Sequence, residues 1–88
     1  MRAVFKYTLQ LLKWQTIAIP VGGKILCIDA QSNEPCMWVD VDTYETNRID
    51  VSIEIYCTGE FFPDGNKEYL GTFQIQDGAY VYHAYKVL

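Results

Sequence analysis

The sequence has only one histidine, His83, and only three cysteines, Cys27, Cys36 and Cys57. It has no Cys-x-x-Cys or His-x-x-x-His pair, which are spacings that hold structural zinc ions. A catalytic triad requires a nucleophile, a base and an orienting acid, and a lone histidine inside the strand-like run VYHAY is more typical of a packed residue. These shortages predict a protein that is not an enzyme and that carries no metal or cofactor.

Each cysteine lies in an apolar, strand-like run, which predicts buried, reduced thiols that act as small hydrophobic side chains. A bridge between Cys27 and Cys36 would form only if the strands that carry them make a hairpin and place them opposite each other. The odd number of cysteines leaves at least one thiol free in either case.

Basic residues are too few and too scattered to form a phosphate-binding surface. Seven Lys and Arg stand against eleven Asp and Glu, for a formal net charge of −4, so direct nucleic-acid binding is disfavoured. The longest uncharged stretch, residues 14–23, is interrupted by Pro20, whereas a membrane-spanning helix needs about 20 apolar residues. Lys6 and Lys13 interrupt the apolar part that a signal peptide would need. We therefore expect a cytosolic protein, bacterial or viral, with no membrane partner.

Segments with a clear helical period are also missing. Short runs of strand character occur instead, about seven in number, at residues 2–9, 15–19, 24–30, 36–42, 51–57, 69–75 and 79–87. This pattern predicts one all-β domain spanning residues 1–88, built as a small antiparallel barrel or sandwich. Residues 43–50 and 58–69 are predicted to be surface loops, the second with room for a short helical turn.

Local signals predict turns and side-chain directions. Asp77-Gly78 predicts a type I′ or related tight hairpin, and Asn33 suits a left-handed turn position. Within the run 51–57, alternation predicts two faces. The outward residues are Ser52, Glu54 and Tyr56, and the inward residues are Val51, Ile53, Ile55 and Cys57.

The last run, AYVYHAYKV, is apolar on both faces. One face carries Tyr80, Tyr82 and Ala84, and the other carries Val81, His83 and Tyr85. Tyrosine supplies a large, rigid contact area, so we predict core packing on one face and a dimer or partner contact on the other. The alternative is a platform on which Tyr80, Tyr82 and Trp38 stack a nucleotide base.

Asp40 and Asp42 are two residues apart in one strand and therefore share a face. Together with Asp29 on the preceding strand, they could converge on a divalent ion. The favoured interpretation is that these carboxylates simply lie in solvent at a strand edge. The candidate partner-binding residues are thus Trp38, Asp40, Asp42, Tyr80, Tyr82, His83 and Tyr85.

Four segments cover nearly the whole chain in the order VFKYTL, QTIAIPVGGKILCIDAQ, EPCMWVDVD and CTGEFFPDGNKEYLGTFQIQDGAYVYHAY. In this order the chain resembles a family of small, uncharacterised bacteriophage proteins, most specifically from Thr58 to His83. It departs from that family between Thr43 and Ile49, where it is more acidic and polar. The resemblance implies a viral origin and a place of action in the cytoplasm of an infected host cell, with no catalytic residue to carry over.

Composition and resemblance together predict a non-enzymatic binding protein that engages and inhibits a host protein, such as an anti-phage defence protein. Its acidic balance would let it present carboxylates where the phosphates of a nucleic acid would lie. A homo-oligomer formed through the C-terminal hairpin is a further prediction. The alternatives are a protein that sequesters a nucleotide at a subunit interface and a minor virion or assembly protein.

Overall fold

The structure, a computed structural model, describes residues 1–88 and contains seven β-strands. In chain order they are β1 (Arg2–Thr8), β2 (Trp14–Pro20), β3 (Lys24–Gln31), β4 (Glu34–Asp42), β5 (Arg48–Cys57), β6 (Lys67–Ile75) and β7 (Tyr80–Val87). Most of these runs alternate apolar and polar residues and are rich in Val, Ile, Thr and aromatic residues, which fit a pleated, half-buried surface. No part of the chain forms a helix capable of crossing a membrane.

The strands form two antiparallel sheets. One has three strands in the order β1-β4-β3, and the other has four in the order β2-β5-β7-β6. They pack face to face in a body of 40 × 30 × 16 Å, whose smallest extent corresponds to two layers of sheet. The all-β prediction is confirmed, and of its two architectures the sandwich is the one that forms.

The inward faces of the two sheets share one core. It is built from thirteen buried side chains, Leu9, Ile19, Ile28, Met37, Val39, Val41, Val51, Ile53, Ile55, Leu70, Phe73, Ile75 and Ala84. Met37, Val39 and Val41 lie on the inner face of the central strand β4 and have no exposed surface. Full burial of a side chain of this kind stabilises the fold by about 1.5–3 kcal/mol, so this short chain relies on packing both inner faces.

Two loop predictions need correction. Residues 43–50 were expected to be irregular, but β5 already begins at Arg48, because Arg48 and Ile49 continue the pairing with Pro20 and Ile19 of β2. The segment between β5 and β6 contains no helical turn. The sequence placed the loops correctly but underestimated how far pairing partners extend the strands.

β3 and β6 close one side of the sandwich. Their backbones approach so closely that a Cβ atom on Gly71 would lie 2.2 Å from the carbonyl oxygen of Ile28, so only glycine fits there. The hairpin tips on this side are joined as well, since the Gln76 N–H donates a hydrogen bond of 3.0 Å to the Asn33 side-chain oxygen.

The two predicted turns are confirmed. Asn33 adopts a φ of 63° in the turn between β3 and β4. In the last hairpin Asp77 and Gly78 have φ values of 55° and 87°, and the Ala79 N–H donates to the Gln76 carbonyl at 3.0 Å. Positive φ at both central residues is the signature of a type I′ turn.

The side of the sandwich opposite to β3 and β6 is open. There β1 and β2 each leave one edge without a neighbouring strand. In β2 the odd-numbered residues bond to β5, as the Val21 N–H does to Asn47 just beyond the strand. The nitrogen of Pro20 therefore faces the free edge, where its missing N–H costs no ladder hydrogen bond.

The cysteines are all free, but only Cys36 is buried. The prediction of a buried thiol is wrong for Cys27, which is exposed, and for Cys57, which is half-buried. A register shift between Ile25 and Cys27 pairs Cys27 with Trp38 and so places it on the outer face of its sheet. Cys36 pairs with Asp29 instead, so Cys27 and Cys36 do not lie opposite each other.

An aromatic face as candidate functional site

Four side chains form a row across the outer face of the four-stranded sheet. The register pairs Trp14 with Glu54, Glu54 with Tyr85, and Tyr85 with Tyr69. Directly paired residues have Cβ atoms about 4.5–5.5 Å apart, so their side chains touch. The row thereby joins residues of β2, β5, β7 and β6 that are distant in sequence.

Residues 58–66, which we call the covering segment, lie over part of this row. The ring of Phe62 stacks on the ring of Tyr56 with centroids 4.3 Å apart and also contacts Tyr85 at 5.6 Å. Tyr69 packs edge-on against Tyr85 at 5.8 Å. Tyr56 points to the outer face, as the alternation predicts, and it is nevertheless buried there because Phe62 covers it.

A buried ion pair lies within the same face. The Lys67 ammonium contacts the Glu54 carboxylate at 2.5 Å, and the two side chains are only 12% and 11% exposed. The hydrogen bond to Glu54 raises the pKa of Lys67, so the ammonium form is favoured. Glu54 points outward, as the alternation predicts, and the structure buries it there beside a partner supplied by the start of β6.

A second ion pair attaches the covering segment to the opposite side of the row. The Lys13 ammonium lies 2.6 Å from the Glu60 carboxylate, which also accepts a hydrogen bond from the Cys57 N–H at 3.1 Å. The hydrogen bond with Lys13 lowers the pKa of Glu60 and raises that of Lys13. Lys13 directly precedes Trp14, so this contact sets the segment beside the indole.

His83 ties the beginning of the covering segment to the sheet. One ring nitrogen lies 2.7 Å from the Thr58 hydroxyl and the other 3.0 Å from the Thr72 hydroxyl. Thr72 is in turn 2.5 Å from the Tyr69 hydroxyl. Since no carboxylate orients the imidazole and both nitrogens are occupied, this geometry is that of a structural hydrogen-bond chain.

Several rings of this region remain open to solvent. The exposed fractions are 98% for Phe61, 64% for Trp14, 57% for Tyr69 and 41% for Phe62. We call these four residues and the half-buried Tyr85 the aromatic face. Large exposed apolar rings gathered on one surface mark a place where another molecule binds, because water is displaced from them at a gain in free energy.

The structure separates the predicted tyrosines and His83 between two faces of β7. Tyr85 and His83 belong to the outer surface just described. Tyr82 points inward, where its ring stacks on Phe73 with centroids 5.6 Å apart, and burial raises the pKa of its hydroxyl. Tyr80, at the start of the strand, is exposed but points away from the aromatic face.

Trp38, Asp40 and Asp42 lie on the outer face of the other sheet, so they do not join the tyrosines. Asp40 is held by Arg2, whose Nε lies 2.7 Å from its carboxylate. Asp42 accepts a hydrogen bond of 3.0 Å from the Tyr44 N–H. These carboxylates are therefore engaged in local contacts within the three-stranded sheet.

The alternative of three converging aspartates is not realised. Asp29 pairs with Cys36, whereas Asp40 pairs with Lys24, four residues further along β4. Such an offset corresponds to roughly 13 Å at 3.3 Å per residue. No group of three or more histidine, cysteine or acidic side chains is placed to hold a metal ion.

Sequence reasoning missed most of the aromatic face. The second predicted strand begins only at residue 15 and so omits Trp14, and Phe61 and Phe62 fall in the predicted surface loop 58–69. A signal was present, since two adjacent phenylalanines in the otherwise polar stretch TGEFFPDGNKE cannot both be solvated without cost. Phe62 packs against Tyr56 and Phe61 does not, and this difference depends on contacts between distant segments.

The fold and this surface define the class of protein: a small two-sheet β-sandwich with an exposed aromatic face that is braced by two ion pairs. The chain belongs to the family described as domain of unknown function DUF7352, whose model matches residues 1–88. Comparison with curated proteins and with solved structures gives no match.

Proposed function

We propose that this protein is a non-enzymatic binding module that docks onto a partner protein through the aromatic face. The observation that carries the proposal is the fully exposed ring of Phe61 beside three further exposed aromatic rings. Aromatic residues are enriched at the energetically important centres of protein interfaces. Covering such rings with a partner recovers the free energy that their hydration costs.

The support beneath the rings favours binding by a preformed surface. Phe62 is stacked on Tyr56, the covering segment is held by the Lys13–Glu60 pair, and the Lys67–Glu54 pair lies just beyond its end, where β6 begins. Residues that are already held in place lose little conformational entropy on association. The same two pairs neutralise the charges near the rings, which suits the centre of an interface better than its rim.

The proposal extends to the identity and location of the partner. In keeping with the resemblance to small bacteriophage proteins, the partner is a host protein, which the module inhibits in the host cytoplasm. The module is proposed to form a homo-oligomer as well. Tyr69 and Tyr85 of the β6–β7 hairpin lie in the aromatic face, so self-association through this hairpin would use the same rings.

Nucleotide sequestration has weaker support. A base could stack on Trp14 or Tyr69, but the two cations nearest to them, Lys13 and Lys67, are already bound by carboxylates. Phosphate groups would have to compete with these pairs. Binding of a nucleotide is therefore kept as an outcome of the test rather than as a second proposal.

Affinity capture from host lysate, with native mass spectrometry, tests the proposal. We expect the wild type to retain one stoichiometric protein, and Phe61→Ser and Trp14→Ser to lose it without a change in melting temperature. Tyr44→Ser is the matched control, because Tyr44 is 73% exposed and lies in the loop between β4 and β5. Capture of a nucleotide alone, or equal capture by all variants, would contradict docking through the aromatic face.

A further inference from the structure

The free edge of β1 presents unpaired backbone groups on the open side of the sandwich. The Leu9 N–H donates to Pro35 and the Thr43 N–H donates to Met1, which shows that odd-numbered residues of this strand bond to β4. Backbone groups alternate in direction along an antiparallel strand. The N–H and C=O groups of the even-numbered residues from Arg2 to Thr8 therefore point away from the sheet.

A groove of about 620 Å³ runs along this edge. It is lined by Val4, Phe5, Lys6 and Tyr7 of β1, by Ala18 of β2 and by Arg48 at the start of β5. Phe5 faces the inner side of the sheet, yet it is 41% exposed because no strand follows β1. A further strand placed here would cover Phe5 and satisfy the free backbone groups together.

Of the two edges on the open side, only β1 is suited to accept a strand. β2 ends in Pro20, which has no N–H to offer at its free edge. β1 has no proline, and its register runs without a bulge from Arg2 to Thr8. Prolines and bulges are two of the devices by which proteins protect sheet edges from pairing, and β1 lacks both; the protection that it has is the positive charge of Arg2 and Lys6, which an acidic strand would complement.

The charge of this edge selects among possible strands. β1 contains Arg2 and Lys6 but no carboxylate, and neither Lys6 nor Arg48 lies within salt-bridge distance of an acidic group. Lys6 donates a hydrogen bond only to the neutral side chain of Gln31. In a protein of net charge −4, the groove is thus bordered by cations without a carboxylate partner.

A second copy of β1 is a poor occupant for the same reason. Antiparallel pairing centred on Val4 would place Arg2 opposite Lys6 of the other copy, and pairing centred on Phe5 would place Val4 opposite Lys6, so no register gives Lys6 a carboxylate. Like charges directly opposite each other destabilise a strand pair. An extended segment with carboxylates at the matching positions would pair favourably instead.

We propose that β1 binds an extended, acidic segment of a partner protein as an additional β-strand. Carboxylates of that segment lie opposite Lys6 and near Arg48, and its alternate apolar side chains cover Phe5 and Tyr7. This is recognition by strand addition, in which backbone hydrogen bonds supply affinity and side chains supply specificity. The site is separate from the aromatic face and does not depend on it.

The probe that tests this is the acetylated and amidated peptide Val-Glu-Val-Thr-Val-Glu-Val, followed by NMR hydrogen exchange. We expect the amides of Val4, Lys6 and Thr8 to become protected on addition of the peptide. Those of Phe5 and Tyr7, already bonded to β4, should be protected throughout. A peptide with lysine in place of glutamate should bind roughly tenfold more weakly, since the attractive cross-strand pair with Lys6 becomes repulsive.

Two variants probe the backbone and the charge separately. Val4→Pro removes an outward N–H at an edge position where proline is tolerated, so peptide binding should disappear. Lys6→Glu should reverse the preference between the two peptides even if the proline variant fails to fold. Tyr80→Ser, at the hairpin tip on the closed side of the sandwich, should bind the acidic peptide like the wild type.

Three results would overturn the proposal: no binding, equal binding of both peptides, or binding that leaves the Val4, Lys6 and Thr8 amides unprotected. Protection of these amides that rises with protein concentration without peptide would assign the edge to self-association instead. The aromatic-face proposal is tested separately, by protein capture with the Phe61 and Trp14 variants. Failure of the strand-addition proposal is therefore distinguishable from failure of the aromatic-face proposal.

Discussion

The ring of Phe62 stacks on the ring of Tyr56 at 4.3 Å with an interplanar angle of 15°, which converts the outer side of β5 into a second, smaller core. The neighbouring Phe61 is 98% exposed. Adjacent residues of the same type thus serve different purposes, since Phe62 stabilises the fold and Phe61 is free to bind.

Substitution of the two phenylalanines separates these roles. Phe62→Ala should lower the free energy of unfolding by roughly 1–3 kcal/mol, because Tyr56 loses its cover. Phe61→Ala should change it by no more than about 0.5 kcal/mol, as expected at an exposed position. Urea denaturation followed by tryptophan fluorescence measures both. Equal losses for the two variants would show that the covering segment does not protect Tyr56.

Tyr56→Phe is expected to stabilise the protein. The Tyr56 hydroxyl is buried without a hydrogen-bond partner, and such a group costs about 1–3 kcal/mol. Removal of the hydroxyl should raise the melting temperature by several degrees, since about 1 kcal/mol corresponds to roughly 4–8 °C in a domain of this size. Tyr82→Phe is the control and should bring no gain, because Tyr82 is only half-buried and its hydroxyl is not a buried group without a partner. A lower melting temperature for Tyr56→Phe would contradict an unpartnered hydroxyl.

Lys67→Met should destabilise the protein more than Lys13→Met does. The first variant leaves the buried Glu54 carboxylate without its partner, whereas Glu60, the partner of Lys13, is more exposed to water. The comparison uses the midpoint of urea unfolding at neutral pH. Similar midpoints for the two variants would mean that Glu54 is as well solvated as Glu60.

Lys67 also predicts that the stability of the fold depends on pH in the alkaline range. The pKa of Lys67 is raised above its ordinary value of 10.5 by its hydrogen bond to Glu54. The folded state therefore holds this proton more tightly than the unfolded chain, so the stabilisation is present below pH 10.5 and is lost as the pH rises through the raised pKa. Melting temperatures across this range should fall more steeply for the wild type than for Lys67→Met. If melting temperature falls equally with pH in the wild type and in Lys67→Met, the Lys67–Glu54 pair does not contribute to stability in this range.

Gly71→Ala should be among the most damaging substitutions in the chain. Its Cβ atom would lie 2.2 Å from the Ile28 carbonyl oxygen, a backbone atom that cannot move aside without parting β3 from β6. We expect a loss of roughly 3 kcal/mol or more, or failure to fold. Gly65→Ala is the matched control, because its Cβ atom would meet only the Lys67 side chain at 3.5 Å. A near-neutral Gly71→Ala would show that the closed side can open.

The positions of the strands and turns were predictable from the sequence because their causes are local. Alternation of apolar and polar residues acts over a few neighbours, and Asp77-Gly78 reaches positive φ at small cost. The burial of a side chain could not be predicted where a segment distant in sequence packs against it. Glu54 alternates as an outward residue, yet Lys67 and the covering segment bury it beside a partner.

By itself, then, the sequence determined an all-β chain, its turns and the two faces of its last strand, because backbone geometry links each of these to neighbouring residues. Only the tertiary structure decided that Phe62 covers Tyr56 while Phe61 stays exposed, and that β1 keeps a free edge. The physical reason is that burial and strand order depend on contacts between segments that are distant in sequence, and no local pattern encodes those contacts.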